Sequence, residues 1–169
     1  MIKFVFTHNS NAMNHILSFI LIGIFSIFLG SQITEGCILV PYWKTLSHIE
    51  FYNYYAKFGP IIGRFYTILT IIATLIPLFA SIYCYYKKPL ALRYSLISTL
   101  FAFLVIAIFY IYFKEINQLF YEAAFTPNQL QAVLSNWEHY HWLRVFFELL
   151  SLTFLILSLN MLNLKKRKV

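Results

Sequence analysis

The sequence predicts an all-α fold, a transmembrane four-helix bundle with short interfacial helices in its two extracytoplasmic loops. Three observations predict it. Four apolar runs are each long enough to cross the ~30 Å hydrocarbon core of a bilayer, which takes about 20 helical residues. Hydrophobic residues make up 60% of the chain and charged residues 11%, with a mean hydropathy of +0.70; a soluble domain carries roughly 25% charged residues. Basic residues collect between the runs, so the net charge of +7 reads as a topology signal and not as a nucleic-acid footprint.

The four expected spans are 16–34, 61–83, 92–113 and 142–162, inside one membrane domain, 16–164. A tail over 1–15 precedes it, and a basic tail over 165–169 follows. No small-x-small cleavage pattern follows the first run, so the first span is read as uncleaved. Pro77 falls inside the second span, where neighbouring helices can satisfy the carbonyl it frees. Lys3, the Lys87/Lys88/Arg93 group and the tail Lys165, Lys166, Arg167 and Lys168 lie on one side. Lys44, Lys57, Arg64, Lys114 and Arg144 lie on the other, together with all six glutamates. The positive-inside rule then places both termini in the cytoplasm, with the cell (inner) membrane as the expected location. Cys37 and Cys84 fall on opposite sides, and no CxxC is present, so no disulfide is expected.

Each outer loop carries a helix signal. In the first, "SHIE" has the capping-box form with Ser47 and Glu50, and Gly59-Pro60 is expected to stop the short Tyr-rich helix that follows. In the second, Thr126, Pro127 and Gln129 mark a helix start. Leu130, Val133, Leu134 and Trp137 continue from it at helical spacing into the fourth span.

That junction, "WEHYHWLRVFFE", concentrates the chemistry. Trp137, His141, Arg144 and Glu148 are spaced four, three and four, so on a continuous helix they form one stripe. His139 and Glu138 point away from it. Glu148 lies about 9 Å below the mouth of the span, a depth at which a carboxylate needs a partner and faces the bundle interior. Glu35 on the first span, Arg64 on the second and Asn117 at the end of the third reach a similar level. These residues predict a polar pocket in the outer leaflet. His141, Arg144 and Glu148 are its candidate catalytic groups, and Trp137, Glu35, Arg64 and Asn117 its candidate substrate-binding groups. His141 is the expected general base, because imidazole gains and loses a proton near neutrality. Arg144 suits developing negative charge, and Trp137 offers a flat wall for an aromatic ligand. The bland alternative is a structural cap in which Arg64 and Arg144 pair with Glu35 and Glu148.

No metal and no cofactor are expected. His139 and His141 splay by about 200° on a helix and cannot share an ion. A set from His48, His141, Glu35 and Glu115 requires a fold that spacing alone does not dictate. No histidine lies in mid-membrane to ligate a haem.

Four segments carry a family resemblance: "GSQITEGCILVPYW", "FYNYYAKFGP", "FKEIN" and "LSNWEHYHWLR". Together they resemble the anthrone-oxygenase-like family of small four-helix integral membrane proteins. The resemblance implies cofactor-free oxygenation of an anthrone to an anthraquinone. Trp137, His141 and Arg144 match the family's Trp…His…Arg pattern; Glu148 has no counterpart in it. The expected partners are the lipid bilayer and a lipophilic or aromatic small molecule, with no nucleic acid and with oligomers allowed. The rival class is a non-enzymatic membrane protein, either a lipid or quinone binder or a subunit of a membrane complex, whose buried charges serve assembly.

Overall fold

A computed structural model describes the backbone of residues 2–163 and the side chains of residues 15–162. The basic tail over 165–169 lies outside the described residues. The described chain is helical, with no strand. In order it forms α1 (Ile2–Thr34), a π-helical turn (Glu35–Leu39), α2 (Val40–Thr45), α3 (His48–Lys87), α4 (Pro89–Ile108), a second π turn (Phe109–Phe113), α5 (Lys114–Tyr121) and α6 (Pro127–Asn163). Four of the resulting rods are long and apolar enough to cross a membrane: His15–Thr45, His48–Lys87, Pro89–Tyr121 and Pro127–Leu162. The chain is an integral membrane protein of the four-helix class.

The outer face of the bundle is apolar: Phe19, Leu90 and Ile111 are 73%, 77% and 78% exposed. The buried side chains include Gln32, Glu35, His141, Arg144 and Glu148. This inverted arrangement suits a solvent of hydrocarbon, where polar groups find partners only inside the protein. Helix α6 packs along α4, and hydroxyls join the two. Ser98 Oγ donates to the carbonyl of Ser151 at 2.7 Å, and Ser151 Oγ donates to that of Ser98 at 2.9 Å. Ser81 on α3 meets Thr99 on α4 at 2.9 Å.

Local sequence explains the helix starts. The capping box at α3 is complete: the Ser47 side chain accepts from the Glu50 amide, and Glu50 accepts from the Ser47 amide at 2.8 Å. At α6, Pro127 is the first helical residue. Gln129 Oε1 accepts from the Thr126 amide at 2.9 Å and also from its hydroxyl at 2.8 Å. Helix α5 closes in a Schellman pattern: the Ala124 amide donates to Leu119 O at 3.0 Å and that of Ala123 to Phe120 O at 3.3 Å. Ala123 therefore sits at φ 52°, a position that glycine usually fills.

One expectation about the loops is corrected. Gly59-Pro60 does not stop a separate interfacial helix; α3 runs as one 40-residue helix through both Pro60 and Pro77. Proline removes a single amide donor, and packing on both sides of Pro60 holds the rod together. Phe51 and Tyr55 before it are buried with Phe120 and Trp137, and Ala73 and Ile76 after it are buried with Phe25 and Leu155. The helix that starts at Pro127 in the second outer loop is the first part of α6, continuous with the fourth span as the spacing of Leu130, Val133, Leu134 and Trp137 predicts.

The core is divided. One apolar cluster gathers Phe25, Phe28, Leu29, Ala73, Ile76, Val145, Leu152 and Leu155. The other gathers Val40, Trp43, Phe51, Tyr55, Phe113, Phe120, Leu130, Leu134 and Trp137. On α1 and its extension, Gln32 and Glu35 fall between Leu29 and Val40. On α6, His141 and Arg144 fall between Trp137 and Val145. The polar centre occupies that seam.

Candidate functional site

The fourth-span stripe forms as its spacing predicts. Trp137, His141, Arg144 and Glu148 are all buried, whereas His139 is exposed. Glu138, off the stripe as expected, forms a half-buried ion pair with Lys44, tying α6 to α2.

Arg144 is the hub. Its Nη2 donates to Gln32 Oε1, to Glu35 Oε2 at 3.4 Å and to His141 Nδ1 at 3.1 Å. Its Nε lies 4.0 Å from Glu148 Oε1. The guanidinium also sits over the Phe113 ring, 4.6 Å from its centroid, a cation–π contact strengthened by exclusion of water. Two π turns flank this point, one carrying Glu35 and the other Phe113. Each has five-residue spacing, with Val40 N–H reaching Glu35 O and Lys114 N–H reaching Phe109 O. Such single-turn widenings recur at functional sites.

His141 is fully buried, and both ring nitrogens are engaged. Nδ1 faces Arg144, and Nε2 lies 2.9 Å from the backbone carbonyl of Gln32. Its ring stacks on Trp137 with centroids 5.2 Å apart. Gly36 lets α6 come this close: a Cβ there meets Trp142 Cζ2 at 2.8 Å and His141 Cδ2 and Nε2 at 3.0 Å. Trp137 in turn donates from Nε1 to Asn117 Oδ1 at 3.0 Å, which leaves the Asn117 amide group as a donor.

Beside the hub lies a cavity of about 230 Å³. Trp43, Tyr55, Tyr66, Phe109 and Trp137 are among its apolar walls, and Glu35, Arg144 and Asn117 supply polar groups. Gly59, Gly63, Thr67 and Thr70 on α3 form one side. Nothing lies within 4 Å of a Cβ built on Gly63, so its missing side chain leaves open space.

Of the residues singled out by sequence, Glu35, Asn117, Trp137 and Arg144 line this cavity. His141 and Glu148 belong to the buried network behind Arg144 and do not line it. Arg64 is not brought in: it is exposed and makes no ion pair with Glu35 or Glu148. From the start of the second span it points off the seam, and among the described residues it is Arg144 that lies beside both carboxylates. Sequence reasoning missed two contributors. Gln32 binds Arg144 with its side chain and His141 with its carbonyl; its signal was a polar residue one turn before Glu35. Gly36 has no chemical signal, because its role is space.

Among the described residues no three His, Cys, Asp or Glu side chains gather as a metal site. His48 contacts the Phe125 carbonyl at 2.8 Å, and Glu115 is exposed, so neither joins Glu35 and His141. No family model matches the chain, and neither does any curated protein or solved structure. The resemblance to anthrone-oxygenase-like proteins thus rests on the four sequence segments.

Proposed function

We propose that this protein binds a lipophilic aromatic molecule within the membrane, with the oxygen-bearing head of the ligand at Glu35 and Arg144. The observation that carries the reading is a cavity walled by aromatic and small residues that also presents a carboxylate and a guanidinium 3.4 Å apart. Such a pair offers an acceptor and a donor side by side, suited to a hydroxyl next to a carbonyl on a flat ring system. The remaining surface rewards apolar area. The orientation that goes with it has both termini in the cytoplasm of a cell with the site in the outer leaflet, supported by the basic residues. A membrane-impermeant thiol reagent on intact cells should then label a cysteine at Asn53 and not one at Lys88; the reverse pattern overturns the orientation.

Trp43 and Trp137 line the cavity, so ligand entry has an optical signal. In the purified protein a peri-dihydroxyanthraquinone should quench tryptophan emission saturably. Gly63→Leu, which fills the open side of the cavity, should weaken the apparent affinity by about tenfold or more, or roughly 1.4 kcal/mol. Equal quenching in both proteins reflects partition into lipid and sinks the reading.

An enzymatic version is favoured by one feature, the carboxylate at the cavity wall. Glu35 takes a proton from the carbon opposite a carbonyl, and Arg144 holds the enolate oxygen that forms. Dioxygen adds to that carbon, the proton returns to the peroxide, and loss of water leaves a ketone. His141, the general base expected from imidazole chemistry, does not line the cavity and acts here by orienting Arg144. Oxygen uptake with an anthrone as substrate should be lost in Glu35→Gln; uptake unchanged in that variant removes the enzymatic version.

A further inference from the structure

Glu148 has no role in the cavity, yet it is fully buried and neither of its oxygens has a hydrogen-bond partner. Arg144 Nε, 4.0 Å away, is also without one. The facing groups can be counted element by element. Helix α1 and its π turn bring Gln32 and Glu35, α2 brings Trp43, and α3 brings Tyr55 and Tyr66. Helix α4 brings the apolar Val105 and Ile106, the second π turn brings Phe113, and α5 brings Asn117. His141 on α6 turns Nδ1 to Arg144 Nη2 at 3.1 Å and to Glu35 Oε2 at 3.7 Å, and as acceptor from the guanidinium that nitrogen carries no proton. Lys114 and Arg64 are exposed. Two carboxyl groups therefore share one guanidinium inside the bundle, where burial strengthens the interactions among the three charges.

We infer that Glu148 sets the charge of the cavity through Arg144, so that an anionic head group enters only together with a proton. This rests on the cavity reading above. A third negative group beside one cation raises the cost of keeping both carboxyls ionised, and one of them takes up a proton as the ligand binds. A neutral carbonyl or hydroxyl makes no such demand. Glu148 is thus a positioning residue: it touches no ligand and acts by how much of Arg144's charge it neutralises.

The test compares two probes of one ring system, the permanently anionic anthraquinone sulfonate and the neutral hydroxymethyl anthraquinone, by tryptophan quenching from about pH 5 to pH 9. Proton uptake makes affinity fall as pH rises, by up to about tenfold per unit. The sulfonate should show this fall and the neutral probe should not. In Glu148→Gln, which keeps the shape and removes the charge, the sulfonate should bind about tenfold tighter at neutral pH with a flattened profile. Parallel profiles for the two probes in the native protein overturn the inference, and so does a Glu148→Gln profile that matches the native one. Binding of the neutral probe with no sulfonate binding at any pH also overturns it while the cavity reading stands. Quenching by neither probe removes the cavity reading and the inference with it.

Discussion

Arg144 Nη2 lies 3.1 Å from His141 Nδ1, one turn earlier on the same helix. A guanidinium can only donate, so Nδ1 must accept and the imidazole proton sits on Nε2. From there it donates to the Gln32 carbonyl, 2.9 Å away. One contact thereby fixes the tautomer, the charge and the orientation of the histidine, and joins α6 to α1.

The Arg144 network predicts unequal effects from its two ends. Arg144→Leu leaves Glu35 and Glu148 buried without a cation, and such stranding costs about 3–5 kcal/mol. Glu148→Leu removes a carboxylate that no hydrogen bond satisfies, while Arg144 keeps Gln32 and Glu35. Its cost should stay below about 3 kcal/mol, the lower end for stranding a buried charge, because the cation keeps two partners. Thermal unfolding in detergent measures both. Equal losses for the two variants contradict this arrangement.

Glycines at two points on one rod should respond oppositely to alanine. At Gly36 the added methyl meets Trp142 and His141 at 2.8–3.0 Å, so Gly36→Ala should cost about 1–3 kcal/mol through overpacking. At Gly30 nothing lies within 4 Å, and Gly30→Ala should gain up to about 1 kcal/mol from helix propensity. Melting temperatures that move the same way for both deny the close approach of α6 to α1.

Ala123 holds a left-handed backbone at φ 52° that costs an L-residue roughly 1–2 kcal/mol. Ala123→Gly should raise stability by up to about 1 kcal/mol, some of the gain being offset by the greater freedom of glycine in the unfolded chain. A drop in melting temperature contradicts the Schellman ending of α5.

Sequence by itself determined the membrane class, the four rods, the helix starts at Ser47 and Pro127, and the stripe of Trp137, His141, Arg144 and Glu148. These are local properties: composition sets the solvent, short-range hydrogen bonds set helix starts, and helical period sets which residues share a face. Tertiary structure decided how the rods turn toward one another. It put Glu35 at the cavity and Glu148 behind Arg144, left Arg64 outside, and gave Gln32 and Gly36 their roles. It also carried α3 through Pro60, where long-range packing outweighs one missing hydrogen bond. Spacing along one helix shows that two groups face the same way; what they face depends on distances across helices, which no local pattern contains.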